Sequence, residues 1–482
     1  MNELTISLDS HSKIPLYEQI YGFIREEIRK REILPGERLP SSRTLSSYLS
    51  VSRSTVDLAY EQLVSEGYVE SIPCRGYFVC EIEELYQLGE TQEERKMKTG
   101  EDALKYRYQF AVSGITPDGF PHNAWKKISR EVLLDASDDL FRLGDPRGER
   151  GLREAIAAYL HHARGVNCRP DQIIVGAGND YLLMLLSVVL GRGADSRHVV
   201  AMENPTYMSA YRCFVNLGFD MRSISMDDSG MQVGELEESG ADLAYVMPSH
   251  QFPMGMVMPM KRRMQLLSWA AKEEKRYLIE DDYDSEFRYK GRPIPALQGY
   301  DTKGKVIYLG TFSRAIAPSI RISYMVLPER LWPLFEQRGI NFSATVSKTD
   351  QKIIEIFMRE GYFERHLNRM RAIYKGKHDL MMKCLKGMSK ICTVSGENAG
   401  VHVLLHFVNG LTEEEAILRA RKAGIRVYGL GQYYTEELER QDSGAGADAG
   451  RKQEAVLLGY ATMTEQQILE AMEILKKVWT CC

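Results

Sequence analysis

Apolar positions near the start of the chain recur at helical spacing. Leu16, Ile20, Phe23, Ile24 and Ile28 fall on one face, which predicts an amphipathic helix. Leu34-Pro35-Gly36 breaks it. Ser41 is a good N-cap for a short helix carrying Leu45 and Leu49. Ser52 then caps a third helix through Glu66, with Val56, Tyr60, Leu63 and Val64 inward and Gly67 at its C-cap. Tyr68-Val69-Glu70 and Cys74-Arg75-Gly76-Tyr77-Phe78-Val79 read as a two-stranded hairpin. Over residues 81–104 the periodicity fades and eight acidic residues face three basic ones, the pattern of a solvated linker. From about Tyr106 short β-branched runs alternate with helical stretches: DQIIVGAG, RHVVAMENP, LAYVMPS, YLIEDDYD and KVIYLGTFS. That alternation predicts an α/β domain with a largely parallel sheet. Past about residue 330 the pattern is helical again, and it closes with a smaller α+β piece holding AGVHVLLHF, AGIRVYGL and AVLLGYA. ERQDSGAGADAGRKQE, between the last two, reads as a mobile surface loop, and no internal repeat is found. The expected boundaries are 1–80, 81–104 and 105–482, the last divided into a large part at about 105–350 and a small part at about 351–482.

A length of 482 residues fits two or three domains. Hydrophobic residues at 44% and charged residues at 27% exclude a mostly disordered chain and a disulfide miniprotein. The longest apolar run, Tyr181 to Leu190, falls short of the roughly 20 residues of a membrane span. MNELTISLDSHSK has no basic start and no apolar stretch, so no secretory signal is expected. The eight cysteines form no CxxC pair and no His-spaced metal pattern; they read as reduced thiols of a cytoplasmic protein, with no metal site. A net charge of −4 announces no global basic field, so any nucleic-acid surface must be local.

Helix, helix, turn, helix and hairpin is the plan of a winged helix-turn-helix. Residues at the start of its recognition helix enter the major groove, and here these are Ser52, Arg53, Ser54 and Thr55, all able to donate to phosphate or base edges. The alternative is a protein-binding winged helix or a charged solvent face. Nine basic against eleven acidic residues over positions 1–80 lean that way, whereas residues 37–55 hold three arginines against one glutamate. LPGERLPSSRTLSSYLSVSRSTVDLAYEQLVSEGYVES and RGYFV resemble the GntR-type DNA-binding domain over nearly its whole length. The resemblance implies operator binding through Arg38, Ser42, Arg43, Arg53 and Thr55, with wing contacts from Arg75 and Gly76.

Segments of residues 110–480 resemble fold-type I aminotransferases: GDPRGERGLREAIAAYL, VGAGNDYLL, ENPTY, MPSHQFPMG, IEDDYDSEFRY, YLGTFSRAIAPSIR and GYFERHLNRMRAIY. Together with the N-terminal module they resemble the MocR-type transcriptional regulators, which fuse a GntR-type module to such a domain. The resemblance covers essentially the whole chain. It implies a multi-domain fold: a winged helix-turn-helix, an α/β large domain of the fold-type I pyridoxal 5'-phosphate-dependent transferase kind, and a small C-terminal α+β domain. It also implies a head-to-tail homodimer in which each module packs on its partner's large domain. Phosphate would be held by backbone amides where Gly176-Ala177-Gly178-Asn179 runs from strand to helix, a pattern that a tight turn without ligand shares. Ser313 and Arg321 would complete the phosphate cup. Asp281 could pair with a pyridine nitrogen, Tyr283 with the ring's phenolic oxygen, and Tyr207 could stack on the ring. Against these stand a strand-end carboxylate and two core tyrosines. His250 or Gln251 could line the same pocket or be structural.

One substitution changes the chemistry. Where the family motif reads G-T-F-S-Lys, this chain reads Gly310-Thr311-Phe312-Ser313-Arg314. Schiff-base formation needs a primary amine able to lose its proton, and guanidinium keeps its proton below a pKa above about 12. Arg314 therefore cannot capture the cofactor covalently, and transamination is expected to be absent. Leu143 stands where relatives often carry a tyrosine that reaches the partner's phosphate, and AVLLGYA shows no substrate-gripping arginine. The expected protein is a cytoplasmic regulator that binds operator DNA, dimerises and senses a small anionic ligand: pyridoxal 5'-phosphate held without a covalent bond, its adduct with an amino acid, or another metabolite. A site that is structural only remains open, as does an aminotransferase with an appended DNA-binding domain. A linker of about 24 residues spans enough, at roughly 5–6 Å × √n, for modules to exchange between subunits.

Overall fold

In the computed structural model, which describes residues 6, 8–9, 12, 14–81, 106–134, 138–191, 198–289, 294–435 and 453–480, the chain divides into two units, Met1–Ala103 and Leu104–Cys482. The expected acidic linker, Glu81 apart, and most of the Gly/Ala/Asp-rich loop after Glu439 lie outside the described residues.

In the first unit Pro15 opens α1 (Leu16–Arg29), which buries Ile20, Tyr21, Ile24 and Ile28. Tyr21, outside the apolar face expected from sequence, is buried in the core of this unit with its hydroxyl donating to Glu66 Oε2 at 2.5 Å. Ser41 accepts from the Thr44 amide at 3.1 Å and starts α2 (Ser42–Leu49); Ser52 accepts from Thr55 at 3.2 Å and starts α3 (Arg53–Ser65). Gly67, at φ +76°, ends α3. Strands β1 (Val69–Ile72) and β2 (Gly76–Val79) pair antiparallel, Val69 opposite Val79. Ile20, Ile24, Leu45, Val56, Tyr60, Leu63 and Val79 meet in one core. This is a winged helix-turn-helix.

The strands of the second unit are β3 (Tyr108–Gln109), β4 (Ile173–Gly176), β5 (Val199–Asn204), β6 (Asp220–Asp227), β7 (Gly230–Met231), β8 (Leu243–Val246), β9 (Tyr277–Asp282), β10 (Val306–Thr311), β11 (Ser323–Val326), β12 (Cys392–Ser395), β13 (His402–Phe407), β14 (Ile425–Arg426), β15 (Tyr428–Gly429) and β16 (Val456–Gly459). The large sheet runs β4-β11-β10-β9-β8-β5-β6-β7, with the β10-β9-β8-β5-β6 stretch parallel and β11 antiparallel to both neighbours. Five strands are the β-branched runs seen in the sequence. Strands β6, β7 and β11 are additions: β6 buries only Met221 and Ile224 of its eight residues, and β11 is four residues wedged between β4 and β10. Helix Asn179–Leu190 buries Leu182, Leu183, Leu185, Leu186 and Val189, which explains the longest apolar run as a buried helix.

Strands β12-β13-β16-β15 form an antiparallel sheet, and β14 pairs in parallel with β3. Tyr108 and Phe110 pack in the core of this layer with Val403, Leu405, Val456, Leu458 and Trp479. The first strand after the linker thus belongs with the C-terminal layer rather than with the expected large part. Helix Tyr362–Lys386 begins beyond the expected division near 350, yet it bridges the two layers: Phe363 and Leu367 pack with the large sheet's cluster, Met370, Tyr374, Met381 and Leu385 with the C-terminal one. Its 25 residues extend about 37 Å. Among the described residues no helix is long and apolar enough to cross a membrane, and no group of three or more His, Cys, Asp or Glu side chains is placed to hold a metal.

Candidate functional site

Ser323, the first residue of β11, lies opposite both Gly176 at the end of β4 and Thr311 at the end of β10. This register sets the β4-to-helix turn beside the Thr311–Arg314 turn, and β9 ends next to them. A cavity of about 440 Å³ opens there, at the carboxyl ends of the strands, where open α/β sheets take their ligands. Its lining includes Asn179, Tyr207, Asp281, Tyr283, Ser313, Arg314 and Arg321. Gly178, the last of the expected cofactor residues, is the N-cap of helix Asn179–Leu190 at their edge.

Gly178 has φ +94°, which favours glycine, and a Cβ there would lie 2.4 Å from Arg321 Nη2 and displace that guanidinium. Arg321 Nη2 donates to Asp180 Oδ2 at 3.3 Å, an exposed pair. The Ser313 amide and the Ser323 hydroxyl both donate to Thr311 Oγ1, at 3.1 and 2.9 Å, and fix the turn that carries Arg314.

The acidic run IEDDYDSEFRY resolves into separate jobs as β9 alternates its faces. Glu280 accepts from the Leu297 and Gln298 amides at 2.7 and 2.8 Å. Asp282 accepts from Arg164 Nε at 2.8 Å and from the Tyr308 hydroxyl at 2.6 Å. Glu286 accepts from the Tyr159 hydroxyl at 2.9 Å. Asp281 alone of these faces the cavity, accepting from Asn179 Nδ2 at 3.4 Å and from the Tyr245 hydroxyl. Burial raises its pKa to about 7 despite the Tyr245 bond.

His250 and Gln251 do not line the cavity. Gln251 Nε2 donates to Pro205 O at 2.9 Å. His250 Nδ1 lies 2.9 Å from Asp284 Oδ2 and 3.0 Å from the Tyr283 hydroxyl, with both His250 and Asp284 buried. The carboxylate draws the imidazole proton to Nδ1, which then has no lone pair to accept from Tyr283. The Tyr283 hydroxyl hydrogen is left for a ligand oxygen, and burial raises the phenol's pKa well above 10, so it stays a donor.

Arg314 is half-buried. Its Nη2 donates to Val112 O at 2.5 Å, while Nη1 is buried with no hydrogen-bond partner. Among the described residues no ion pair joins it and no lysine lines the cavity. Sequence reading passed over Val112, Ser113 and Gly114, which line one wall, and Tyr245, which bonds Asp281. The only local signal was Gly114, at φ +106°.

In the winged helix, Arg38, Arg43, Arg53 and Arg75 are exposed. Arg53, at the first turn of α3, pairs with Asp57 at 3.5 Å. Gly76 has φ +110°, and a Cβ there would lie 3.1 Å from Arg38 Nε, so the structure brings Arg38 across the wing tip. Thr55 is half-buried, its hydroxyl 2.7 Å from that of Ser52. Ser42 is buried and stands apart from the exposed set.

Residues 16–79 match the bacterial regulatory proteins of the gntR family, and residues 113–473 match aminotransferase class I and II. The chain is 38% identical over 479 residues to the HTH-type transcriptional regulator YhdI of Bacillus subtilis, covering 99% of this chain and 98% of that one. It is 28% identical over 486 residues to MocR of Rhizobium meliloti, a probable rhizopine catabolism regulatory protein, covering 98% and 95%. The solved kynurenine aminotransferase of Pyrococcus horikoshii shares the fold of the second unit, with a TM-score of 0.66 at 24% identity over 78% of this chain and 91% of that one. A gntR-family module continuous with an aminotransferase-like fold, matched end to end by HTH-type regulators, makes this chain a member of the MocR-type family of DNA-binding transcriptional regulators.

Proposed function

We propose that this regulator senses a small anionic ligand in the cavity of its aminotransferase-like unit and performs no transamination. The observation that carries this is one of the cavity's two arginines: Arg314 has no ion-pair partner, and no lysine lines the cavity, among the described residues. A guanidinium attracts oxyanions and offers no amine to an aldehyde. Pyridoxal 5'-phosphate fits as a guest without a covalent tether. Gly178, Asn179, Ser313 and Arg321 would hold its phosphate, Asp281 its ring nitrogen, and Tyr207 and Tyr283 its ring. When bound, that group supplies an electron-withdrawing ring. Asn179 Oδ1 and Arg314 Nη1, both buried without partners, are the kind of polar atoms a guest would satisfy. The Pyrococcus horikoshii neighbour is complexed with PMP, in keeping with this use of the fold.

Operator contacts are assigned to Arg38, Arg43, Arg53 and Thr55, with Arg75 and Gly76 at the wing. Ser42, being buried, would contribute the free backbone amide of the first turn of α2 rather than its hydroxyl. Two chains assemble head to tail, supported by Phe141 and Leu143, 79% and 92% exposed beside exposed Ile340 and Phe342. Ligand occupancy then shifts the population of module spacings that fit two half-sites. The protein works in the cytoplasm, where its DNA is.

The test mixes purified full-length protein with pyridoxal 5'-phosphate and dialyses it. Stabilisation before dialysis and a colourless protein after it are expected. A visible absorbance band that survives dialysis, or turnover of an amino donor, would restore the reading as a working aminotransferase with an appended DNA-binding domain.

A further inference from the structure

Residues 107–114 stitch the two layers of the second unit together. The Arg107 and Phe110 amides donate to Gly424 O at 2.8 Å and Arg426 O at 3.0 Å, and Gly459 N donates to Phe110 O at 3.1 Å. Ala111 O passes 2.0 Å from where a Cβ on Gly459 would stand, so only glycine admits it. Val112 then packs against the large sheet's cluster and a small-sheet cluster at once, and its carbonyl accepts from Arg314 Nη2. From there Val112–Gly114 forms a wall of the cavity. In chain order this is the first described segment after residues 82–105, on the route out of the DNA-binding unit.

We propose that Arg314 receives the carboxylate of a small ligand and, through its bond to Val112, couples that carboxylate to the segment by which the chain enters the sensing unit. The proposal rests on the sensor reading above and deepens it by naming the group recognised and the element that responds. A guanidinium is a planar fork that matches a planar carboxylate. One arm of Arg314 is spent on Val112; the other, Nη1, is buried and unbonded. Arg321 and the Gly178 helix start form a separate cradle. Tyr207, Phe252 and Tyr283 wall the space with aromatic rings, which suits a flat aromatic acid. A carboxylate drawn to Arg314 neutralises the cation and holds it in place. The Val112 carbonyl is then held as well, and with it the joint between the layers.

Benzoate and benzamide have nearly the same shape and differ in charge, so they isolate this claim. Full-length wild type and Arg314→Gln are titrated with each by calorimetry, and amide exchange is followed in peptides spanning residues 108–116. Wild type is expected to bind benzoate at least tenfold tighter than benzamide, about 1.4 kcal/mol. Arg314→Gln should abolish that preference, and Arg314→Lys, which keeps a cation, should retain part of it. Benzoate should slow exchange over 108–116 in wild type and not in Arg314→Gln. Equal binding of the two probes by wild type, a charge preference that survives in Arg314→Gln, or exchange that slows in both proteins overturns the proposal. If Arg314→Gln does not fold, charge preference and slowed exchange in wild type decide, and absence of either rejects it. Pyridoxal 5'-phosphate serves as the reference. If it stabilises wild type while benzoate fails, only the Arg314 assignment falls; if neither binds, the sensor reading falls with it.

Discussion

Asp281 carries a carboxyl that burial holds protonated up to about pH 7, whereas an unfolded aspartate releases its proton near 4. The folded state therefore binds the extra proton between those values, and its contribution to stability is full below about pH 4 and lost as pH rises through 7. Glu203, Glu280 and Glu286 are raised to about 7 by the same burial, so the decline is shared. Asp281→Asn removes one share. Urea unfolding of ligand-free protein at pH 5 and pH 8 should show a smaller loss for the variant than for wild type; equal losses would mean that Asp281 is ionised in the folded protein. Gly178→Ala tests the neighbouring turn. Its φ of +94° and the 2.4 Å approach to Arg321 predict a cost of about 1–3 kcal/mol, visible as a lowered unfolding temperature, and weaker stabilisation by pyridoxal 5'-phosphate as Arg321 is displaced.

At the scale of elements, α3 depends on Ser52, whose hydroxyl accepts from the Thr55 amide. Ser52→Ala should cost about 1 kcal/mol in thermal unfolding of the DNA-binding unit. Arg53→Ala, in the same turn but exposed, should leave stability nearly unchanged while weakening operator binding. If Arg53 meets a phosphate, the salt slope of binding also falls by about 1. Unchanged affinity in Arg53→Ala would mean that the recognition helix is misassigned. These elements could be read in the sequence because their signals are local: a serine before an apolar period, a glycine after it. The β4-to-helix turn was legible for the same reason. Strand β11 was not, since four residues acquire strand character only between β4 and β10, and β6 hides its buried face among charges. The bond from Arg314 to Val112 spans 202 positions and follows from how two layers meet, which no local pattern encodes.

For the whole molecule the question is how many chains read the operator. Phe141 and Leu143 are large apolar side chains left in water by the isolated chain, around a surface pocket that also includes Ile340 and Phe342. Covering them with a second copy is the economical solution for a symmetric dimer. The Phe141→Asp, Leu143→Asp double variant would place a buried charge at each copy of that interface and should sediment as a monomer with its unfolding temperature nearly kept, since both side chains are already exposed. Tethering two modules makes the second half-site contact intramolecular, so losing the dimer should weaken binding to a two-half-site operator by about a hundredfold or more. Affinity for a single half-site should hardly change. A double variant that still sediments as a dimer would assign the apolar patch another role. A monomer that kept full affinity for the paired operator would show that one module suffices, and ligand control would then have to act within a single chain, by the route that runs from Arg314 through Val112.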